Sequence, residues 1–363
     1  MKVGITYDLR EDYLSNGFGE EETAEFDRID TIESIDQALR RLGYDTERVG
    51  NIQGLTRRLV GGHRWDIVFN IAEGVKGFGR EAQVPALLDA YDIPYTFSDP
   101  MVLSLTLHKA MAKRVVRDLG VATPDFCVVE KASDIDLIDM APPLFVKPVA
   151  EGTGKGITSA SKIIRQSQLS AICRGMLSRY MQPVLVERFL PGQEFTVGIV
   201  GSGENAVAIG VMEVLLRENA ESDVYSYLNK ERCEELVNYR LVSSPVAERA
   251  KEAAVKAWKG LGCLDAGRVD LRVDANGVPN FLEVNPLAGL HPEHSDLCII
   301  AGKVGMTYQD LIHAIMASAI ARYSLEKRSH AAAEYWNPLQ QAHLPREDSL
   351  GIIYRRPYTS GSH

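Results

Sequence analysis

Cysteine is scarce and scattered in this chain. Cys127, Cys173, Cys233, Cys263 and Cys298 are odd in number and include no C-x-x-C pair, which argues for reduced thiols in packing positions rather than a disulfide framework. No apolar run is long enough to span a bilayer, and the opening MKVGITYDLRED reaches charged residues too soon for a signal peptide. Positive charge is short as well. The net charge is −9 and no run of Lys or Arg stands out, which argues against a general nucleic-acid binder and against an anionic-membrane patch. A cytoplasmic protein is the expectation. No G-x-G-x-x-G follows the first apolar run, so no Rossmann dinucleotide site is expected there, and no internal repeat is visible. What remains is ordinary globular composition, 45% hydrophobic and 25% charged, over 363 residues, enough for two or three domains.

The first third alternates as α/β proteins do. KVGITYD reads as a buried strand, Thr31 to Leu42 as an amphipathic helix closed by Gly43, and WDIVFNI as a second strand. A helix near Ala82 to Ala90 and a third strand, IPYTF, complete the pattern. A long helix should then follow Pro100 through Arg117. PLFVKPV and TSAS flank a glycine-rich loop, VLVERFL is a strand, and FTVGIVG to VAIGVMEV is a hairpin. Helices are expected at Pro245 to Leu261 and from Thr307 to about Tyr323. The stretch 326–363 reads as an irregular tail, with Thr359 to His363 an expression remnant outside the functional argument.

GRVDLRVDANGVPNFLEVN gives the sharpest expectation. Asn276-Gly277 between alternating runs predicts a two-residue type I′ turn. Counting back from it sets Asp270 opposite Glu283 and Arg268 opposite Asn285, all on one face, with Val269, Leu271, Leu282 and Val284 on the other. Two opposed carboxylates repel unless a cation lies between them. Asp, Glu and Asn are hard oxygen donors suited to Mg2+ or Mn2+, ions that complete their shell with water and nucleotide phosphates. The other reading of this face is a solvated sheet with charges paired across strands. His291-Pro-Glu-His294, a few residues on, raises the question of zinc, but the proline keeps both rings off one helix face and no third ligand is near.

PLFVKPVAEGTGKGITSAS brings Gly152, Gly154 and Gly156 together, so backbone N–H groups can approach an anion. It is not a Walker A loop, because Lys155 is followed by Gly156 rather than Ser or Thr. A glycine loop between two strands can act as a flap over phosphates, above a cation such as Lys147. In VERFLPGQEFTV, Phe189 and Leu190 suit a flat base and Glu194 a pair of ribose hydroxyls. Taken singly, a flexible hairpin turn and exposed loop acids explain both segments as well.

In this order, DIPYTFSDPMVLSLTLHKAMAKRVVRDLGVATP, PLFVKPVAEGTGKG, VLVERFLPGQEFTV, LGCLDAGRVDL, FLEVN and GMTYQDLI resemble the ATP-grasp superfamily and, within it, the D-alanine–D-alanine ligases, across residues 65–322. The resemblance implies an α/β ATP-grasp fold: an N-terminal doubly wound α/β domain (1–100), a central flap subdomain (101–185) and a C-terminal ATP-grasp α+β subdomain with the metal hairpin (186–325). It implies ATP, two Mg2+ (or Mn2+) ions, small amino-acid-type substrates and a homodimer. Lys109 and Lys147 would contact phosphates beneath the loop of Gly152, Gly154 and Gly156. Glu187 and the backbone of Arg188, Phe189 and Leu190 would hold adenine, and Glu194 the ribose. Asp270, Glu283 and Asn285 would bind the metals, and Arg268 would stabilise charge at the reacting carboxyl. Thr153 stands where the family has a serine in the loop, and joins Arg268 and Lys147 as a catalytic candidate.

The substrate-facing positions depart from that family. Its opening Gly-Gly, serine and glutamate, the last meeting the first substrate's amino group, are replaced by ITYDLREDYLSNGFGEEETAEFD, where Glu25 and Asp27 are the nearest candidates. Its His-Gly is Glu73-Gly74, and its catalytic tyrosine segment is ESDVYSYLNKER. One extra residue precedes Ser295. Glu73, Tyr225, Lys230, His294 and Ser295 are therefore the substrate-side candidates. The expected function is an ATP-dependent carboxylate–amine ligase that forms an acyl phosphate and then a C–N bond, making D-Ala-D-Ala, another dipeptide or a related amide. The alternative is a non-catalytic ATP-binding scaffold or regulatory module of the same fold.

Overall fold

Three sheets follow one another along the chain in the computed structural model, which describes residues 1–221 and 224–330, with side chains through residue 323. The first holds β1 (Lys2–Thr6), β2 (Asp45–Gly50) and β3 (Ile67–Asn70) in the order β2-β1-β3, all parallel. Val3, Ile5, Ile67 and Phe69 pack against Ile32, Ile35 and Leu39 of the helix Ile29–Arg41, while Val68 on the other face meets Leu55, Leu59 and Leu88. Both faces are covered, as a parallel sheet requires. DTERVG was not expected as a strand. Its polar, solvent-facing edge carries no apolar alternation, so β2 is set by pairing to β1. The expected third strand, IPYTF, shrinks to a bridge between Val68 and Tyr95, because Phe97 at φ +69 turns the chain away.

The second sheet is antiparallel, in the order β4-β7-β5-β6: β4 (Phe126–Val129), β5 (Leu144–Pro148), β6 (Lys162–Ile163) and β7 (Val184–Arg188). The helix Gln166–Tyr180 buries Leu169, Cys173 and Met176 against it. The long helix expected after Pro100 breaks in two, Pro100–Leu107 and Lys109–Asp118. His108 leaves helical geometry (ψ 88) and its Nδ1 accepts the Met111 N–H at 3.3 Å, which places Lys109 in the first turn of the second helix.

The third sheet runs β10-β9-β8-β11-β12: β8 (Glu194–Val200), β9 (Val207–Leu216), β10 (Val237–Leu241), β11 (Ala266–Val273) and β12 (Pro279–Asn285). The helix Pro245–Leu261 covers one face, capped by Ser244, begun by Pro245 and ended by Gly262 at φ +76. Its small face of Ala247, Ala250, Ala254 and Ala257 lets the helix lie close, and Trp258 fills the remaining gap. A Cβ at Gly267 would lie 2.7 Å from the Trp258 ring, so only glycine fits there. The last helix, Tyr308–His330, continues past Tyr323, where the expected helix ended. The remainder of the expected tail, from residue 331 on and including Thr359 to His363, lies outside the described residues. Met1–Arg322 form one compact unit, and among the described residues no helix is long and apolar enough to cross a membrane.

The β11–β12 hairpin corrects its expected turn and keeps its expected pairing at Arg268 and Asp270. Its loop is longer than two residues: Gly277 N–H donates to Asp274 O, Asp274 N–H to Val278 O, and Asp274 Oδ1 accepts the N–H groups of Asn276 and Val278. Near the turn Leu271 therefore pairs with Phe281, one residue out from the counted register. A bulge between Asp270 and Leu271 then takes up Leu282, and beyond it Asp270 faces Glu283 and Arg268 faces Asn285. The bulge also moves Leu282 off the core face on which it was expected, and it lines a cavity with Phe145, Phe189 and Glu283.

Candidate active site

The sheets meet at a cluster of buried charge. Lys147, on β5, and Lys113, on the helix Lys109–Asp118, both reach Glu187 at the end of β7, each Nζ 2.9 Å from one carboxylate oxygen. Lys113 also donates to Thr123 Oγ1 at 3.0 Å and to Phe281 O at 3.1 Å, tying this helix to β12. Burial alone would raise the Glu187 carboxyl, but the two lysines hold it below its ordinary value. Burial lowers Lys113 to about 8. Lys147 is raised, because Glu187 and Glu283 outweigh its burial. Glu187, expected at adenine, thus spends its carboxylate on fixing Lys147. Lys113 escaped the sequence reading, although it sits four residues from Lys109 and so on the same helix face.

One wall of this cluster is a cavity lined by Phe145, Ile157, Phe189, Leu190, Glu194 and Leu282. The N–H of Arg188 donates to Asp125 O and that of Phe189 to Pro143 O, while the Leu190 N–H makes no hydrogen bond among the described residues. Arg272 holds Glu194 at 3.1 Å and lies over the Phe189 ring. Around the hairpin, Asp270 accepts from Thr196 at 2.9 Å, from Asn285 at 3.4 Å and from Arg268 in a close ion pair. Glu283 meets Lys109 at 3.3 Å. Burial would raise Glu283, yet Lys109, Lys147, Lys230 and Arg268 hold it far below the usual carboxylate range. Two carboxylates and an amide oxygen, with no thiolate among them, are a donor set that fits a hard divalent cation.

The glycine loop is drawn down over this cluster. Thr153, Gly154 and Gly156 all have positive φ, and a Cβ at Gly154 would lie 3.0 Å from the Tyr227 N. The acidic opening segment grips the loop from the other side. Glu25 accepts the Gly152 N–H and both Nη2 contacts of Arg80 (3.0 and 3.1 Å), with Lys155 at 3.7 Å. Arg80 also donates to Ala150 O at 2.8 Å. Glu21 accepts from Tyr180 at 2.7 Å and pairs with Arg179.

Two further cavities flank Arg268, and both are lined by Glu25, Thr153 and Gly289. One, about 110 Å³, is bounded by Glu73, Glu81, Lys109, Glu283 and Asn285. The other, about 260 Å³, is bounded by Asp27, Tyr225, Lys230, His294, Ser295 and Asp296. The structure therefore brings the substrate-side candidates to the same centre but divides them, with Glu73 on one side and the other four on the opposite side. Lys230 lies over the Tyr225 ring, and the Tyr225 hydroxyl bonds that of Tyr239 at 2.6 Å. Asp296 stands 3.7 Å from Arg268. Ser295 Oγ accepts the His291 N–H at 2.8 Å, and His291 Nδ1 accepts the N–H groups of Glu293 and His294, so the His-Pro-Glu-His turn is held by its own side chains.

Residues 115–317 match the D-ala D-ala ligase C-terminus family. A D-alanine–D-alanine ligase of Bordetella avium is 32% identical over 301 residues, covering 82% of this chain and 91% of that protein. The chain belongs to the D-alanine–D-alanine ligase family. Within that family it is equally close to a protein of Sinorhizobium fredii described as uncharacterized, 32% identical over 261 residues, covering 71% of this chain and 75% of that one. The ATP-grasp fold of the family is also seen in a D-alanine–D-alanine ligase of Bacillus anthracis complexed with ATP. That structure superposes at a TM-score of 0.68 and 20% identity, over 90% of this chain and 99% of its own. As a member of this family the chain is an ATP-dependent ligase.

Proposed function

We propose that this ligase joins two small amino-acid-type molecules through an acyl phosphate. The observation that carries the reading is the junction at Arg268, where a base-sized apolar cavity, two buried lysines, a hard-donor set and two polar cavities meet. ATP would lie with its base against Phe145, Phe189 and Leu282, its ribose at Glu194 and its phosphates between Lys109 and Lys147. Asp270, Glu283 and Asn285 would hold two Mg2+ ions, which supply charge neutralisation on the phosphates.

The protein's own part is then positioning and exclusion. A donor carboxylate oxygen attacks the γ-phosphorus, an O–P bond forms and the bond to the ADP oxygen breaks. Lys109 and Lys147 meet the negative charge that gathers there. The loop of Gly152, Thr153 and Gly154 keeps water from the acyl phosphate. An acceptor amine, bounded by Tyr225, Lys230, His294 and Ser295, attacks the carbonyl carbon. The amine loses a proton, phosphate leaves, and a C–N bond remains. Arg268 faces the oxygen on which charge develops. D-alanine is one substrate pair this reading admits, and the altered acceptor wall leaves room for others.

The test is phosphate release from Mg-ATP against single and paired D- and L-amino acids. Release that requires an amino acid and vanishes in Glu283→Gln supports the ligase. Tight ATP binding without turnover on any pair sinks it in favour of a binding module.

A further inference from the structure

Four acids line the larger cavity beside Arg268, about 260 Å³, and three of them are accounted for. Glu25 is held by Arg80, Asp296 lies 3.7 Å from Arg268, and Glu231 is exposed to water. Asp27 is different. It is partly buried, and among the described residues its carboxylate has no hydrogen bond and no ion pair. Its backbone, by contrast, is fixed. Leu9 and Asp27 form a bridge, the Arg10 N–H donates to Asp27 O at 2.9 Å, and the helix Ile29–Arg41 begins two residues on. A held main chain thus presents an uncommitted carboxylate to the cavity. The cations of the same wall are engaged elsewhere or open to water: Arg10 pairs with Glu20 at 2.8 Å, Arg268 with Asp270, Lys230 lies over the Tyr225 ring, and Arg28 is exposed. The two histidines are committed as well, His291 to Asp30 at 3.4 Å and His294 to Glu234 at 3.1 Å.

The groups facing Asp27 disfavour its charge. Asp8, just after β1, lies near it while accepting from Tyr13 and from the Gly74 N–H, and Asp30 lies near it from the first turn of the following helix. Glu73, Cys298 and Tyr308, packed around it from other elements, feel its charge and bring no positive one. Burial first, then Asp8 and Asp30, pushes Asp27 up to about 7, and no cation opposes them. A group that exchanges its proton near neutrality suits general acid–base work. A free amino group is mostly an ammonium there and has no lone pair with which to attack. We propose that Asp27 is the general base of the ligation, taking a proton from the acceptor's ammonium so that its nitrogen can attack. The proposal rests on the ligase reading above. Asp27 takes one N–H proton, the freed lone pair forms the C–N bond, and the carbonyl oxygen takes up negative charge facing Arg268. As that oxygen re-forms its double bond, the carbon–oxygen bond to phosphate breaks and a second proton leaves the nitrogen for the departing phosphate. Asp27 gives its proton to water, and an amide and inorganic phosphate remain.

Asp27→Asn keeps the shape of the side chain and removes the base. Full-length wild type and variant are given Mg-ATP and the amino-acid pair that releases most phosphate, then each member of that pair with hydroxylamine in place of the other. Hydroxylamine is unprotonated near neutrality, so its nitrogen attacks the acyl phosphate carbonyl without a base, and a hydroxamate and phosphate result. Amide formation should fall by about 10²–10⁴-fold in the variant. Hydroxamate formation should stay near the wild-type rate, which shows that the variant folds and still makes the acyl phosphate. The rise of wild-type amide formation as pH passes through about 7 should be absent from the variant. Equal losses of amide and hydroxamate place Asp27 in the fold or at the donor and overturn the inference. So does amide formation at the wild-type rate in Asp27→Asn. No phosphate release from any pair overturns the ligase reading itself, and this inference with it.

Discussion

The two sides of Arg268 handle buried carboxylates in opposite ways. On the side of the apolar cavity Glu187 lies between Lys113 and Lys147, Glu283 meets Lys109, and Glu194 meets Arg272. On the side of the two polar cavities Glu25 is paired with Arg80, but Glu73 and Glu81 have no hydrogen bond or ion pair among the described residues, and burial pushes Asp27 up to about 7. A site whose charges are already paired is preformed and binds with little rearrangement. Charges left over cost stability in the empty protein unless a ligand or a proton meets them.

Lys147→Ala should break the paired side hardest. It strips one of two cations from Glu187 and one from the phosphate end, so ADP formation should fall by about 10³-fold. Leaving a buried carboxylate half-paired should cost about 3–5 kcal/mol in denaturant unfolding. An unchanged unfolding midpoint would mean that the lysines serve catalysis alone, and the contrast between the sides would lose its structural half.

The pH dependence of the ligand-free protein separates the sides by sign. Glu187 titrates lower in the folded chain than unfolded, so its contribution is complete above the ordinary carboxylate value and is lost as pH falls through its depressed folded value. Glu81 titrates higher when folded, so its contribution is complete below that ordinary value and is lost as pH rises towards about 7. Unfolding free energy should therefore peak near pH 5 (about half a unit above the ordinary value of a glutamate) and decline on both sides. Glu81→Gln should flatten the upper limb by about 1–3 kcal/mol. A wild-type profile that climbs steadily from pH 5 to pH 8 would contradict the unpaired side.

The smallest effect belongs to the exposed grip on the glycine loop. Arg179 is two-thirds exposed where it meets Glu21, so Glu21→Ala should change global stability by less than about 1 kcal/mol. Its mark should appear in limited proteolysis between residues 150 and 158, with faster cleavage than in the wild type.

The sequence made the order of elements and the shared face of Asp270 and Glu283 readable, because hydrophobic period and strand alternation are local properties. Asp270 opposite Glu283 came out right through two departures that cancel, a longer turn and the bulge at Leu282. Neither could be counted from the letters, since a bulge is settled by packing across the sheet. Lys113, Arg80 and Glu81 were missed for a related reason. Each is defined by what it meets from another part of the chain, or, for Glu81, by what it fails to meet. Glu187 shows the same limit in reverse, because its position was legible while its two lysine partners were not. The polar edge strand β2 and the break at His108 also depend on neighbours more than on composition.

The acidic opening segment has a consequence for the loop it contacts. It touches the glycine loop through Glu25 and the helix Gln166–Tyr180 through Glu21. The Glu25 pair with Arg80 is buried and the Glu21 pair with Arg179 is exposed, so the segment holds this region at one firm point and one loose one. The opening segment and the glycine loop are thereby joined into one unit, and a substitution at Glu25 is felt 127 residues away at Gly152.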